Sequence, residues 1–501
     1  MTNAMLSRRS VGLRSERGPI LLSVMLSTAL VALDSTIIAT ASTSVAHDLG
    51  EFRQLPWLFS IYVLAQAVTV PLYGRLADVF GRKNLLLVAL GLFLLGSILS
   101  GAAWSMPILI AARAVQGIGA GGVQPLGMTI LSDIYSLEER AKTQGYIASM
   151  WGMASLVGPA LGGVFSEYLS WRWIFWINVP IGAVAVGLIV ARYHESARVG
   201  EREPIDWLGA ALVTPGTALL VLGLLEGGQS WAWDSPISVL VFAAAAALLV
   251  VFVWWQLRAR YPLIAFSILR RRVVWSSTAG GFLVGLVVLG LSAYVPIYAQ
   301  DVLGFGPLIA GFAVAAFTIG WPITASFSGR FYLRYGFRVT CTIGTIVALA
   351  GSALLVTLGA HSSIWLVALY GLIIGAGFGF AAAPSMIAAQ SSVQHSERGF
   401  VTGINMFSRN IGSAVGVAIF GAVVNANTII GANGAPEAAG LMTAMRLVFV
   451  AIAIAAALLV VVLLFLPPHR SGEEPQPIPE RAFRIEAEFA AGGDEGEELL
   501  P

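Results

Sequence analysis

Gly74-Arg75-Leu76-Ala77-Asp78-Val79-Phe80-Gly81-Arg82-Lys83 lies between two long apolar runs, and its reading decides the fold. Flanked in this way, a basic stretch bounded by glycines reads as a short polar loop at a membrane surface. A degenerate copy follows about 255 residues later as Gly329-Arg330-Phe331-Tyr332-Leu333-Arg334-Tyr335-Gly336-Phe337-Arg338. Two such turns, each after the second helix of a half, predict a duplicated membrane protein in which one half rocks against the other.

Composition agrees. The chain is 57% hydrophobic and only 11% charged, with a mean hydropathy of +0.81. Soluble domains carry roughly 25% charged residues, so a soluble fold is excluded. A net charge of +2 argues against nucleic acid as a partner. The single cysteine, Cys341, excludes an intrachain disulfide or a thiolate cluster. Arg8, Arg9, Arg14 and Arg17 precede the first apolar run as in a signal peptide. That run is long, contains Asp34 and lacks a small-residue cleavage site, so it is expected to stay as the first spanning helix.

A span needs about 20 apolar residues. Helices are expected near 19–41, 56–73, 84–104, 106–131, 143–166, 173–191, 207–225, 237–257, 273–299, 307–328, 339–359, 362–388, 399–425 and 441–466. Helix is the default because lipid offers backbone groups no partner. Arg75, Arg82, Lys83, Arg192, Arg198, Arg202, Arg258, Arg260 and Arg270–Arg272 fall on the side of the N-terminus, against Arg53 and Arg172 opposite. That asymmetry predicts cytoplasmic termini and an even helix number.

Glu139-Arg140, Gly145, Gly158 and Gly163 recur at an offset of 258 as Glu397-Arg398, Gly403, Gly416 and Gly421. Helices one to six therefore match nine to fourteen, with seven and eight inserted. The expected division is a cytoplasmic segment 1–18, a six-helix bundle 19–191, two inserted helices with linkers 192–272, a second bundle 273–466 and an acidic, disordered cytoplasmic tail 467–501.

Within the first turn, Asp78 sits among bases, and Asp133 at the end of helix four is a candidate partner for them. Their charges could break and reform as the halves move, beyond what any basic cytoplasmic turn explains. Asp34 lies about 15 residues into helix one, roughly 22 Å deep. A carboxylate there must be paired or protonated. Arg113, about seven residues into helix four from the other side, reaches a similar depth. Either residue could instead serve only structure: Asp34 in an ion pair, Arg113 on backbone carbonyls. Gly158-Pro159 is expected to break the ladder of helix five, and Gly152, Gly162 and Gly163 to allow close packing. Gly117-Ile118-Gly119-Ala120-Gly121-Gly122 fits a dinucleotide pattern but lacks the strand before it, so packing explains it better. Trp57, Tyr62, Gln66, Gln124, Trp151, Tyr294, Tyr298, Trp321, Asn405 and Phe407 are candidates for a substrate cavity or, equally, for lipid contact. Arg409 and Arg446 have no assignable role.

The decapeptide resembles the loop motif G-x-L-A-D-x-x-G-R-K of the major facilitator superfamily. Arg113-Ala114-Val115-Gln116-Gly117-Ile118-Gly119 resembles that superfamily's helix-four motif, and Gly152 to Gly163 its helix-five antiporter motif. Leu33-Asp34-Ser35-Thr36-Ile37 and Trp171-Arg172-Trp173-Ile174-Phe175-Trp176-Ile177-Asn178-Val179-Pro180 resemble stretches of its fourteen-helix drug:proton antiporters. The resemblance covers about 19 to 466. In the second half Leu333 replaces the loop Asp, and no Gly-Pro follows Gly416.

The resemblance implies an all-α polytopic fold of two pseudo-symmetric six-helix bundles plus two inserted helices. It implies proton coupling at Asp34, with Arg113 biasing that acid, and export rather than import. The expected partners are protons, small amphipathic substrates and the lipid bilayer of a bacterial cytoplasmic membrane. A monomer without cofactor or metal is expected, and no nucleophile or metal-ligand constellation suggests an enzyme. A dedicated exporter of one metabolite, lipid or antibiotic is the alternative, and a proton-coupled uptake symporter the next.

Overall fold

The structure is a computed structural model that describes residues 11–49, 55–195, 206–228, 231–259, 266–394, 397–427 and 438–468. Arg8, Arg9, Arg53, Arg198, Arg202, Arg260 and the acidic tail lie outside these. Apart from one isolated bridge between Gly227 and Trp231, the described regular structure is helical. In order the helices are α1 (Gly18–Leu49), α2 (Leu55–Phe80), α3 (Arg82–Gly101), α4 (Met106–Ile134), α5 (Leu137–Tyr168), α6 (Trp173–Trp176), α7 (Asn178–Arg192) and α8 (Trp207–Glu226). They continue with α9 (Pro236–Gln256), α10 (Phe266–Leu269), α11 (Arg272–Ile297), α12 (Pro307–Tyr335), α13 (Phe337–Val356), α14 (Ile364–Ser391), α15 (Arg398–Asn427) and α16 (Ala438–Leu464). A π turn, Tyr298–Val302, follows α11.

Among the described residues, 13 helical segments are long and apolar enough to cross a membrane, α6 and α7 counting together as Trp173–Arg192. The other long helix, α5, has 32 residues and opens with Glu138, Glu139, Arg140 and Lys142. It packs between α1 and α12. Segments thus occupy all fourteen places that hydropathy predicts.

The decapeptide itself differs from expectation. It is no loop: α2 runs on to Phe80, and α3 starts at Arg82. The whole reversal rests on Gly81, whose φ of 93° lies in the left-handed region open to glycine. Gly336, in the degenerate copy, turns the chain in the same way with φ 83°. Helix α5 runs on through Gly158 and Pro159. Proline removes one N–H from the ladder, and the flanking turns keep the helical path.

Glycine lets the helices approach, because lipid supplies no hydrophobic drive between apolar helices and contact must come from close fit. A Cβ on Gly117 would meet the Tyr62 carbonyl of α2, and one on Gly119 the Phe93 backbone of α3. The same seats recur 258 residues on: Gly375 lies against the Phe317 carbonyl and Gly377 against the Ala348 backbone. Gly121 and Gly379 fit beside Thr69 and Thr324. Those threonines donate across the joint, Thr69 to the Ile118 carbonyl at 3.4 Å and Thr324 to the Ala376 carbonyl at 2.8 Å. The sequence repeat is therefore a repeat of helix joints.

The inserted pair α8 and α9 packs on itself, and α8 also touches α2 and α15. Val239, Leu240, Val250 and Trp254 of α9 stay exposed, as suits a lipid-facing helix.

Gly119→Val should drive α3 from α4 and lower the thermal unfolding midpoint in detergent by several degrees, in line with overpacking costs of about 1–3 kcal/mol. Gly163→Ala, where nothing lies within 4 Å of an added Cβ, should leave that midpoint unchanged.

Candidate functional site

Two polar clusters stand out, one inside the helix bundle and one at its end. The inner cluster joins α1 and α4. Asp34 and Arg113 are each 1% exposed and Gln116 is fully buried. Asp34 lies 16 residues along α1 from Gly18, about 24 Å. Arg113 donates to Asp34 Oδ2 at 2.7 Å, and Gln116 Nε2 donates to Oδ1 at 2.9 Å. The same Arg113 nitrogen donates to Gln116 Oε1 at 2.8 Å. Its Nε reaches the Leu58 carbonyl at 3.4 Å, and its guanidinium lies 4.0 Å from the centre of the Tyr62 ring. Each carboxylate oxygen has a donor, and the cation rests on an aromatic face, which favours positive charge.

Helical spacing builds this cluster. Arg113 and Gln116 are three residues apart and share one face of α4. One turn along, Gly117 and Gly119 bring α2 and α3 close, so the two long side chains turn inward to α1. Thr36 of α1 donates to the Ala154 carbonyl of α5 at 3.0 Å, and Gly158 of α5 seats Thr36. Asp34 thus sits on a helix clamped from both sides.

The end cluster gathers the tips of several helices. Arg82 Nε is 3.3 Å from Asp133 Oδ2, and Arg398 lies 3.6 Å from Oδ1. Arg398 and Arg140 both donate to the Ser132 carbonyl, Arg398 at 2.8 Å. Glu195 accepts from the backbone N–H of Arg82 at 2.8 Å and of Lys83 at 3.1 Å. It therefore caps the N-terminus of α3, where a carboxylate is favoured. A Cβ on Gly81 would come 2.7 Å from that carboxylate, a second reason for glycine there. Arg17, just before α1, joins by donating to the Ile134 carbonyl at 2.7 Å and to Glu139 at 3.1 Å. The side chains of Arg75 and Asp78 lie outside the described residues.

At this end the first and second sets of helices meet. Besides the contact of Arg398 of α15 with Ser132 of α4, the Tyr332 hydroxyl of α12 donates to the Leu137 carbonyl of α5 at 3.4 Å. Gly74 fits against Gly399 and Gly403, Gly145 against Ser326, and Gly152 lies 3.3 Å from Pro322 for an added Cβ. The side chain of Pro159 is outside the described residues, and Gly162 is buried.

The other candidates scatter. Trp57, Gln66, Gln124, Trp151, Trp321 and Phe407 are half-buried. Tyr62 is buried beneath Arg113. Tyr294 and Tyr298 lie in the second-half core, edge-on to Phe420 and Phe449, and the Tyr298 hydroxyl donates to the Gly359 carbonyl at 2.7 Å. Asn405 clips α15 to α11 through the Ser277 carbonyl and hydroxyl, both at 2.9 Å. Sequence reasoning did not assign Gln116, Glu195 or Arg398 to a site. Gln116 and Arg398 carried a signal, one within the helix-four motif and one within the repeated Glu-Arg pair; Glu195 carried none.

A many-helix bundle with a buried charge cluster at membrane depth defines a multi-pass membrane transporter with two similar halves. Residues 24–417 match the family model described as Major Facilitator Superfamily, and the chain belongs to that family. It is 33% identical over 405 residues to "Multidrug resistance protein 3" of Bacillus subtilis, covering 81% of this chain and 79% of that protein. It is 31% identical over 417 residues to "Multidrug transporter protein MdtP" of Bacillus subtilis, covering 83% and 77%. With the "Efflux pump dotC" of Dothistroma septosporum it shares 32% over 405 residues, 79% of this chain and 70% of the pump. The fold is also that of the human organic anion transporter MFSD10 (TM-score 0.61, 17% identity, 89% of this chain and 99% of that one). Family membership makes the protein a membrane transporter and not an enzyme.

Arg113→Ala would strand the Asp34 carboxylate. Thermal or denaturant unfolding in detergent should show a loss of about 3–5 kcal/mol. The double variant Asp34→Asn with Arg113→Gln should lose clearly less than the sum of its two single changes.

Proposed function

We propose that the protein exports small amphipathic compounds across a bacterial cytoplasmic membrane in exchange for protons. The observation that carries this reading is the Asp34–Arg113–Gln116 cluster, since it puts one titratable carboxylate at membrane depth. Relatives named as multidrug transporters and an efflux pump support export.

When Asp34 is ionised, Arg113 balances it. Protonation removes that charge and the cation loses its counter-ion. Arg113 keeps its proton, and Gln116, the Leu58 carbonyl and the Tyr62 ring still hold it in place. The contact between α1 and α4 is what weakens. Because α1 is also clamped to α5, the change reaches the helix that faces the second half. Bundles 19–191 and 273–466 are the bodies that rock, with 192–272 inserted between them. The end bearing Arg17, Arg82, Lys83, Arg140, Arg271 and Arg398 is the cytoplasmic end, following the bias of basic residues. In this conformation that end is closed, by Arg398 on α4 and by the glycine seats of α2 on α15. The charge cluster of Arg82, Asp133, Glu195 and Arg398 is the latch, and Arg75 and Asp78 belong to the same gating motif by sequence. The half-buried aromatic and amide side chains line the substrate path, and the protein works as a monomer.

Energy comes from the proton gradient, each charge crossing 100 mV being worth about 2.3 kcal/mol. In proteoliposomes under an imposed pH gradient, the wild type should accumulate a fluorescent amphipathic dye, and Asp34→Asn should lose at least about tenfold of that rate. Gradient-independent dye exchange should survive the substitution. Equal gradient-driven transport by both proteins would remove Asp34 from the coupling.

A further inference from the structure

Arg409 lies 11 residues into α15 from Arg398, about 16 Å along the helix and near the middle of the apolar span Arg398–Val424. Its backbone is fixed against α11: a Cβ on Gly285 would meet the Arg409 carbonyl and come within 3.1 Å of its Cγ. Three polar side chains near it on α15 already have acceptors on α11. Asn405 is held by Ser277, Ser408 donates to the Thr278 carbonyl at 2.9 Å, and Ser413 to the Gly285 carbonyl at 3.0 Å. None of the hydrogen bonds, ion pairs or ring contacts among the described residues involves the Arg409 side chain. It is only half-buried, although the bundle crowds around it. The side chain therefore keeps part of its surface accessible and has no partner among the described residues.

The two buried carboxylates Asp34 and Asp133 are each balanced by arginine. Asp34 has Arg113 and Gln116, and Asp133 has Arg82 and Arg398. Arginine cannot shed its proton to escape the cost of burial. A fixed, uncompensated cation on a helix that joins both halves, since α15 packs on α2 and on α11, invites a mobile anion. A planar guanidinium matches a carboxylate or sulfonate with two parallel hydrogen bonds.

We propose that Arg409 is the substrate-charge selector, binding the acidic group of an amphipathic organic anion. This rests on the export reading for its biological sense, and on geometry alone for the site.

The test uses one fluorophore with three charges: dansylglycine (anionic), its methyl ester (neutral) and dansylcadaverine (cationic). Binding to the full-length protein in detergent is read by fluorescence polarisation. The wild type should prefer dansylglycine to its ester by about tenfold or more. Arg409→Gln should abolish that preference with ester binding unchanged, and Arg409→Lys should keep part of it. Circular dichroism and gel filtration show that both variants are folded; if Arg409→Gln is not, the partial retention in Arg409→Lys with unchanged ester binding decides. The proposal is overturned if wild type shows no preference for the anion, if it binds no dansylglycine, or if the preference survives in Arg409→Gln. Transport of the same probes in proteoliposomes separates the two readings. Charge-selective binding without transport of any probe refutes export and leaves the anion site standing. Gradient-driven efflux of dansylcadaverine without anion preference refutes the anion site and leaves export standing.

Discussion

A carboxylate 24 Å along a membrane helix and 1% exposed must find its partners inside the protein, and that constraint shapes the first half of the molecule. Asp34 is satisfied on both oxygens by α4. For this to happen, α4 must lie close to α1, α2 and α3 at once, which only a glycine-rich α4 permits. An unpaired acid at that depth costs several kcal/mol, more than a typical single packing contact contributes. The electrostatic demand and the small-residue packing are thus one arrangement seen from two sides.

The internal repeat separates these two demands. Positions 258 residues after Gly117, Gly119 and Gly121 are again glycine, and each meets the equivalent partner. The positions equivalent to Arg113 and Gln116 are Gly371 and Ile374, which carry no charge. Duplication therefore preserved the joint and dropped the ion pair. The glycines of the helix-four motif build the fold wherever they occur, while Arg113 and Gln116 answer to Asp34 alone.

This asymmetry explains what could be read from the sequence. Spans, the repeat and the glycine joints follow from hydropathy and from side-chain size, which are local properties. Asp34 and Arg113 were legible because a charge in an apolar run needs a reason, and their similar depth followed from counting residues. The turn at Gly81 was misread as a loop, since polarity marks the membrane surface without telling whether a helix continues through it. The polar stretch is divided between the end of α2 and the start of α3, and one glycine is enough to reverse the chain between them. Glu195 was invisible because its role is to cap a helix 112 residues earlier along the chain. Arg398 carried the repeat signal, yet nothing in the sequence says that it reaches across to Ser132 instead of staying within its own half.

Contacts within each half and contacts between halves share glycine seats and differ in the charged groups added to them. Inside a half, α4 is locked by backbone-to-glycine seats on α2 and α3, with threonine hydroxyls across the joint. Interdigitated seats of this sort resist sliding, because packed cores have discrete arrangements rather than soft ones. Between the halves, the end cluster relies on arginine reaching carbonyls and a carboxylate, and on one hydroxyl at 3.4 Å. Water can replace each of these polar contacts as the end opens, while the glycine seats of α2 on α15 and the apolar contact of Val70 with Met386 and Met406 must also part. The joints that must stay whole thus rest on buried backbone seats, and the joint that must open adds to its seats a set of charged contacts that water can replace.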